Sequence, residues 1–178
     1  LSYQQIQPFI QKELVNPTFL YEEATGLDPN QKYIVLTFDD GPMPHTTTNI
    51  LDVLQEKVVK ATFFLLGQNA KKHPDLVKRI HEEGHEVGSH SYSHPLLTNL
   101  SKEAVEKEVK QTDRAIFEAT GVIPRTFRPP YGAVNADVAA IIGKPIIQWN
   151  IDSMDWHSKQ KNETIQMIDQ TASEGGIV

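Results

Sequence analysis

Six apolar or β-branched residues in succession, Tyr33-Ile34-Val35-Leu36-Thr37-Phe38, run directly into Asp39-Asp40-Gly41-Pro42. The run predicts a buried strand, and Gly41-Pro42 stops it with a turn. Both carboxylates then lie at the carboxyl end of a strand, where open α/β sheets and barrels carry their chemistry. Successive residues of an extended chain point in opposite directions, so the two acids are not expected to share one task. One can bind a metal while the other works beside it. Asp-Gly and Gly-Pro are also ordinary turn formers, so this stretch needs support from elsewhere in the chain.

From Lys32 onward, strand-like runs alternate with helical patterns. Helices are predicted over Thr46 to Val58, with Ile50, Leu51 and Leu54 inward, and over Asn69 to Glu83, with Leu76, Val77 and Ile80 inward. A third, long helix runs from a Ser101 cap to Gly121, a short one from an Asn135 cap to Ile142, and a last one over Thr164 to Ala172. Further strands are predicted at Ala61 to Leu66, His85 to Ser89, Pro124 to Phe127 and Ile146 to Ile151. This alternation implies parallel strands with helices outside, in an open sheet or a barrel. Residues 1–31 differ in character. Pro8, Pro17 and Pro29 interrupt a short amphipathic pattern over Leu1 to Leu14, and the segment reads as a lead-in or the tail of a preceding domain. Gly175-Gly176-Ile177-Val178 reads as a turn and the first two residues of another strand. The sequence opens on Leu1 without a signal-peptide pattern, and is expected to be a cut-out or processed piece.

The 178 residues suffice for one domain with a real core. A net charge of −6 argues against nucleic-acid binding, which needs clustered Lys and Arg. No apolar run is long enough to insert in a membrane. Cysteine is absent, which excludes thiolate metal sites and cysteine nucleophiles.

Seven histidines remain, and two fall in His90-Ser91-Tyr92-Ser93-His94, just after a predicted strand. Imidazoles at this spacing can converge on one metal ion, and one carboxylate would complete a two-His, one-carboxylate site with open positions. That donor set suits zinc hydrolysis and also non-haem iron. Elsewhere, Arg128-Pro129-Pro130-Tyr131-Gly132 follows the fourth predicted strand. Its prolines aim Arg128, the Tyr131 amide can face a pocket, and an arginine near Asp39 would keep that acid ionised. Asp152-Ser153-Met154-Asp155-Trp156 ends the fifth predicted strand and adds two acids and an indole on which a sugar ring can stack. All four segments should meet at one sheet end.

Taken in order, Thr37-Phe38-Asp39-Asp40-Gly41, His90-Ser91-Tyr92-Ser93-His94, Arg128-Pro129-Pro130-Tyr131 and Asp152 to Trp156 resemble four motifs of the polysaccharide deacetylases of carbohydrate esterase family four. These enzymes carry the NodB homology domain, and the resemblance covers about Lys32 to Val178. Among them, the Gram-positive, streptococcal-type peptidoglycan N-acetylglucosamine deacetylases look closest. The resemblance implies a distorted, incomplete (β/α) barrel over 32–178, lacking its last strand and helix here. It implies Asp39 as catalytic base, Asp40, His90 and His94 as metal ligands, and Arg128 as the residue orienting the base. It further implies Tyr131 as an oxyanion donor through its amide, Asp155 as the acid tuning a catalytic histidine, and Trp156 as a groove wall. The implied cofactor is one divalent ion, Zn2+ first and Co2+ or another ion as substitutes. The implied substrate is a cell-wall or chitin-like polysaccharide, met outside the cell or at the wall.

The family's fifth motif, Leu-x-His, has no counterpart before Val178, so the expected general acid and a completing C-terminal fragment lie beyond this sequence. This chain alone is therefore expected to be inactive. Three other readings compete: an acetylxylan O-deacetylase using the same groups, a carbohydrate-binding module with an incomplete site, and an iron(II) oxygenase. The extra Asp39 and Arg128 count against the last.

Overall fold

The run beginning at Tyr33 forms two short strands where one was predicted. A computed structural model of the protein describes residues 33–172 and 175–178. The predicted lead-in over 1–31 lies outside the described residues. The described strands are Ile34–Val35 (β1), Thr37–Asp39 (β2), Thr62–Leu65 (β3), Glu86–Ser89 (β4) and Gly176–Ile177 (β5). The helices are Pro44–Lys57 (α1), Gly67–Lys72 (α2), Pro74–Glu82 (α3), Lys102–Thr120 (α4), Ala136–Ile142 (α5), Asp155–Ser158 (α6) and Lys161–Thr171 (α7).

The break at Leu36 is where the chain changes partner. β1 pairs in parallel with β5, whereas β2, β3 and β4 form a three-stranded parallel sheet in that order. The prediction of a buried strand holds only in part, because Ile34 and Val35 are 44% and 43% exposed. The predicted fourth and fifth strands contribute single parallel bridges, Ser89 to Phe127 and Phe127 to Ile146. Proline explains the shortfall. Pro124, Pro129, Pro130 and Pro145 flank these bridges and have no N–H to extend a ladder. Beyond them, the Asn150 and Ile151 amides both donate to the Ile177 carbonyl. The result is an α/β fold with an incomplete barrel and no closed sheet among the described residues.

The helices follow the local signals closely. Ser101 Oγ accepts from the Ala104 amide at the start of α4, and Gly121 ends it at φ 75°. Asn135 Oδ1 accepts from Val138 N–H at the start of α5. The helix predicted over Asn69 to Glu83 is two helices, α2 and α3, divided at His73-Pro74, where proline cannot continue a helix it has not begun. α1 begins at Pro44, two positions before the predicted start, with proline in its first turn.

Adjacent phenylalanines on β3 serve opposite faces. Phe63 joins Leu51 and Leu54 of α1, Val77 and Ile80 of α3, and Ile116 of α4 in one cluster. Phe64, fully buried, lies under the Arg128 guanidinium, 4.3 Å from its ring centre. A second cluster joins Val105 and Val109 of α4 to Phe127 and to Val138 and Ile142 of α5. A buried ion pair between Lys144 and Asp113 ties the end of α5 to α4. Among the described residues, no helix is long and apolar enough to cross a membrane.

Candidate metal centre

Parallel pairing fixes the functional edge. The register sets Asp39 beside Phe64, and Leu65 beside Ser89. The residues that follow these strand ends, Asp40, His90 and Arg128, therefore emerge at the same edge of the sheet.

Asp40, His90 and His94 come together there, with one ligand-capable atom from each lying within 4.8 Å of the others. His90 Nε2 stands 3.5 Å from Asp40 Oδ1, and His94 Nε2 stands 3.6 Å from the same oxygen. His90 is buried, and its Nδ1–H donates to the Arg128 carbonyl at 2.6 Å. That bond settles the tautomer, leaving the Nε2 lone pair free to face Asp40. Burial also pushes the His90 pKa down, against the pull of Asp39, so the ring favours the neutral form a ligand requires. Three donors converging with one backbone-oriented imidazole match a two-His, one-carboxylate site, and the residues present fit a divalent ion.

Asp39 has a different partner, because β2 ends on it and Asp40 turns away at φ 68°. Its Oδ1 accepts from Arg128 Nη1 at 2.9 Å, and its Oδ2 lies 3.9 Å from His90 Nε2. Burial raises the Asp39 pKa above the ordinary carboxylate value, while His90 and Arg128 oppose that rise. Arg128 is itself held through Nη1 and Nε, while its buried Nη2 has no hydrogen-bond partner among the described residues. It is 2% exposed, donates from Nη1 to Thr37 Oγ1 at 2.6 Å and from Nε to the Ile147 carbonyl at 3.2 Å, and sits over Phe64. Thr37 in turn donates its hydroxyl to the Val178 carbonyl.

The backbone is strained around the centre. Asp40, Ser91, His94 and Tyr131 all have φ between 60° and 68°, a region non-glycine residues rarely adopt. Tyr131 is 68% exposed, and its ring meets the His94 ring edge-on at 4.7 Å. Asp155 and Trp156 open α6 and are exposed. Asp155 Oδ1 accepts from Ser153 Oγ at 2.7 Å, and the Trp156 ring meets His157. None of the described hydrogen bonds, ion pairs or ring contacts joins Asp155 or Trp156 to the cluster, although all four segments were predicted to meet.

Sequence reasoning missed Glu108, whose carboxylate binds the loop between the two histidines. Its signal was present: it sits on α4 three residues after Val105 and four before Thr112, both buried. A carboxylate beside a buried helix stripe needs partners, and here the loop supplies them.

A family model described as polysaccharide deacetylase matches residues 26–145. The peptidoglycan-N-acetylglucosamine deacetylase PgdA of Listeria monocytogenes is 49% identical over 147 residues, which are 83% of this chain and 32% of that protein. A chitooligosaccharide deacetylase of Rhizobium leguminosarum bv. trifolii is 44% identical over 161 residues, covering 89% of this chain and 74% of its own length. Among solved structures, peptidoglycan deacetylase PdaC from Bacillus subtilis superposes with a TM-score of 0.83 at 40% identity, over 85% of this chain and 75% of that one. The chain thus spans 32% of the length of the first curated relatives it matches. With the first three motif segments joined at one sheet edge and the family model covering most of the sequence, this chain belongs to the polysaccharide deacetylase family.

Proposed function

We propose that the chain carries a metal-dependent N-deacetylase site acting on N-acetylglucosamine residues of a cell-wall polysaccharide or a chitin-like oligomer. The observation that carries this reading is the pairing of a three-donor centre, Asp40, His90 and His94, with a separate carboxylate, Asp39, held by a buried arginine. Hydrolysis needs both, because binding an ion and accepting a proton are incompatible tasks for one carboxylate.

Asp40, His90 and His94 would hold the ion, with Zn2+ first by donor type. When bound, it would polarise the acetamide carbonyl and acidify a water. Asp39 accepts the proton of the attacking water, and Arg128 keeps that carboxylate aimed. The Tyr131 amide donates to the carbonyl oxygen as it gains charge, a contact whose deletion costs about 3–4 kcal/mol in comparable sites. Asp155 would orient a histidine beyond Val178 that returns the proton to the leaving nitrogen, and Trp156 offers a face to the sugar. Products are a free amine on the sugar and acetate. Acting on a cell-wall polymer, the protein would work outside the cell or at the wall.

The test is acetate release from an N-acetylglucosamine oligomer by the full protein carrying this chain. Activity should vanish on chelation and return with Zn2+ or Co2+. Release from O-acetylated xylan alone, with none from the amide substrate, would overturn the N-deacetylase assignment. Activity unaffected by complete metal removal would overturn the metal site.

A further inference from the structure

The loop that presents both imidazoles is an unfavourable one. Ser91 and His94 stand at φ 65° and 63°, and such left-handed residues persist only where neighbouring bonds hold them. Two sides of the loop are secured by the main chain. The Gly67 and Gln68 amides at the start of α2 donate to the Ser91 and Tyr92 carbonyls at 2.9 and 3.0 Å. Within the loop, Ser91 Oγ accepts from the His94 amide at 3.1 Å.

The remaining donors go to one side chain. The Tyr92 and Ser93 amides both donate to Glu108 Oε2 at 2.8 Å, and Ser93 Oγ donates to Glu108 Oε1 at 2.9 Å. Glu108 is itself steadied on α4, where its carbonyl accepts from Thr112 Oγ1 at 2.8 Å. The close fit depends on Gly67. A Cβ there would lie 2.6 Å from the Tyr92 ring and 2.8 Å from Thr112 Cα, so only glycine lets α2, α4 and the loop meet.

We infer that Glu108 is a positioning residue of the metal centre: its carboxylate fixes the Tyr92 and Ser93 amides so that His94 Nε2 stays within reach of Asp40 and His90. The inference rests on the metal-binding reading above. It also separates geometry from charge. Gln at 108 can still accept both amides through its carbonyl oxygen while its NH2 meets Ser93 Oγ. Asp keeps the charge but withdraws it by one methylene.

Co2+ titration of the full protein, followed by visible absorption, is the test, alongside thermal unfolding of the metal-free forms. E108A should bind Co2+ about 10- to 100-fold more weakly than wild type, the range for lost outer-shell partners. E108D should be weakened similarly, and E108Q should stay within about threefold. E106A is the control: Glu106 is on the same helix, ion-paired to Lys110, and its loss should leave affinity unchanged. If E108A does not fold, E108Q against E108D decides alone. Wild-type affinity in E108A, or a normal E108D with a weak E108Q, would overturn the inference, as would a lowered unfolding temperature with no change in affinity. Absence of Co2+ binding by the wild type would overturn the metal site and this inference with it.

Discussion

The two rims of the candidate site are built differently. On the side of β2, β3 and β4, His90 and Arg128 are almost wholly buried, and each has its orientation fixed by bonds to the opposite strand end. On the side after Ile151, Asp155 and Trp156 are exposed and bonded only to near neighbours, and α7 beyond them buries no residue. The difference is one of ladder length. Successive parallel pairs and the buried Phe127 beside them cover the first side, whereas the stretch from Asp152 through α7 has no strand pair of its own and little to pack on. Chemistry needing fixed distances sits on the first side, and contacts that only need to receive a substrate sit on the second.

The sharpest way to break this comparison is Asp39→Asn. If the buried side divides its labour as described, turnover should fall about 10²- to 10⁴-fold while metal content stays at the wild-type level, as metal analysis beside the acetate assay would show. Loss of the metal in this variant would erase the distinction between Asp39 and Asp40. His90→Ala should weaken Co2+ or Zn2+ binding by at least about a hundredfold, more than an outer-shell loss costs. His94→Ala should do the same. Phe64→Ala removes the ring beneath Arg128 and should destabilise the fold by about 3–5 kcal/mol in denaturant titration.

A smaller effect tests the far end of the same strands. His85 is buried beside Phe63, its Nδ1 accepts from the Ala61 amide at 3.2 Å, and burial first, then Lys60, pushes its pKa below 6.5. The folded form therefore resists a proton that the unfolded chain takes up. Stability from this group is full above about pH 6.5 and declines as pH falls toward the folded pKa, by at most about 1.4 kcal/mol per pH unit. Urea midpoints measured across that window should fall, and His85→Gln should flatten the slope. Smallest of all, Trp156→Ala should change stability by no more than about 0.5 kcal/mol while raising KM for the oligomer. A large loss of stability there would show that the exposed rim is packed after all.

Much of the buried side was legible in the sequence, because strand ends and caps are local events. The apolar run closing on Asp39-Asp40, the His-x3-His spacing, and the Ser101 and Asn135 caps each state their structure within a few residues. What was not legible depended on partners far along the chain. The division of the first strand at Leu36 reflects two different neighbours, β5 and β3, which no local pattern records. The loss of the fourth and fifth strands to single bridges was foreshadowed by Pro129, Pro130 and Pro145, whose missing donors weigh more than the apolar runs beside them. Pro74 likewise carried the division of α2 from α3. Glu108 stood out only by its place beside the buried stripe of α4; its partners, two main-chain amides and the Ser93 hydroxyl, lie on a loop that no local pattern pairs with it.

The Thr37 hydroxyl, placed between Arg128 and the Val178 carbonyl, has a consequence for how the site is assembled in time. Thr37 and Val178 are 141 positions apart, whereas Thr37 pairs with Thr62 on β3 across a far shorter stretch. Closing the longer loop involves between two and three doublings of length, an added entropic cost of about 1.5 kcal/mol. Contacts of such separation form late when chains fold. The sheet of β2, β3 and β4 can therefore gather the histidines and the two carboxylates early. The Thr37 hydroxyl that accepts from Arg128 acquires its own acceptor, the Val178 carbonyl, only when the end of the chain docks. During synthesis on the ribosome, a chain that already contains Asp40, His90 and His94 would still lack the carbonyl that the Thr37 hydroxyl meets.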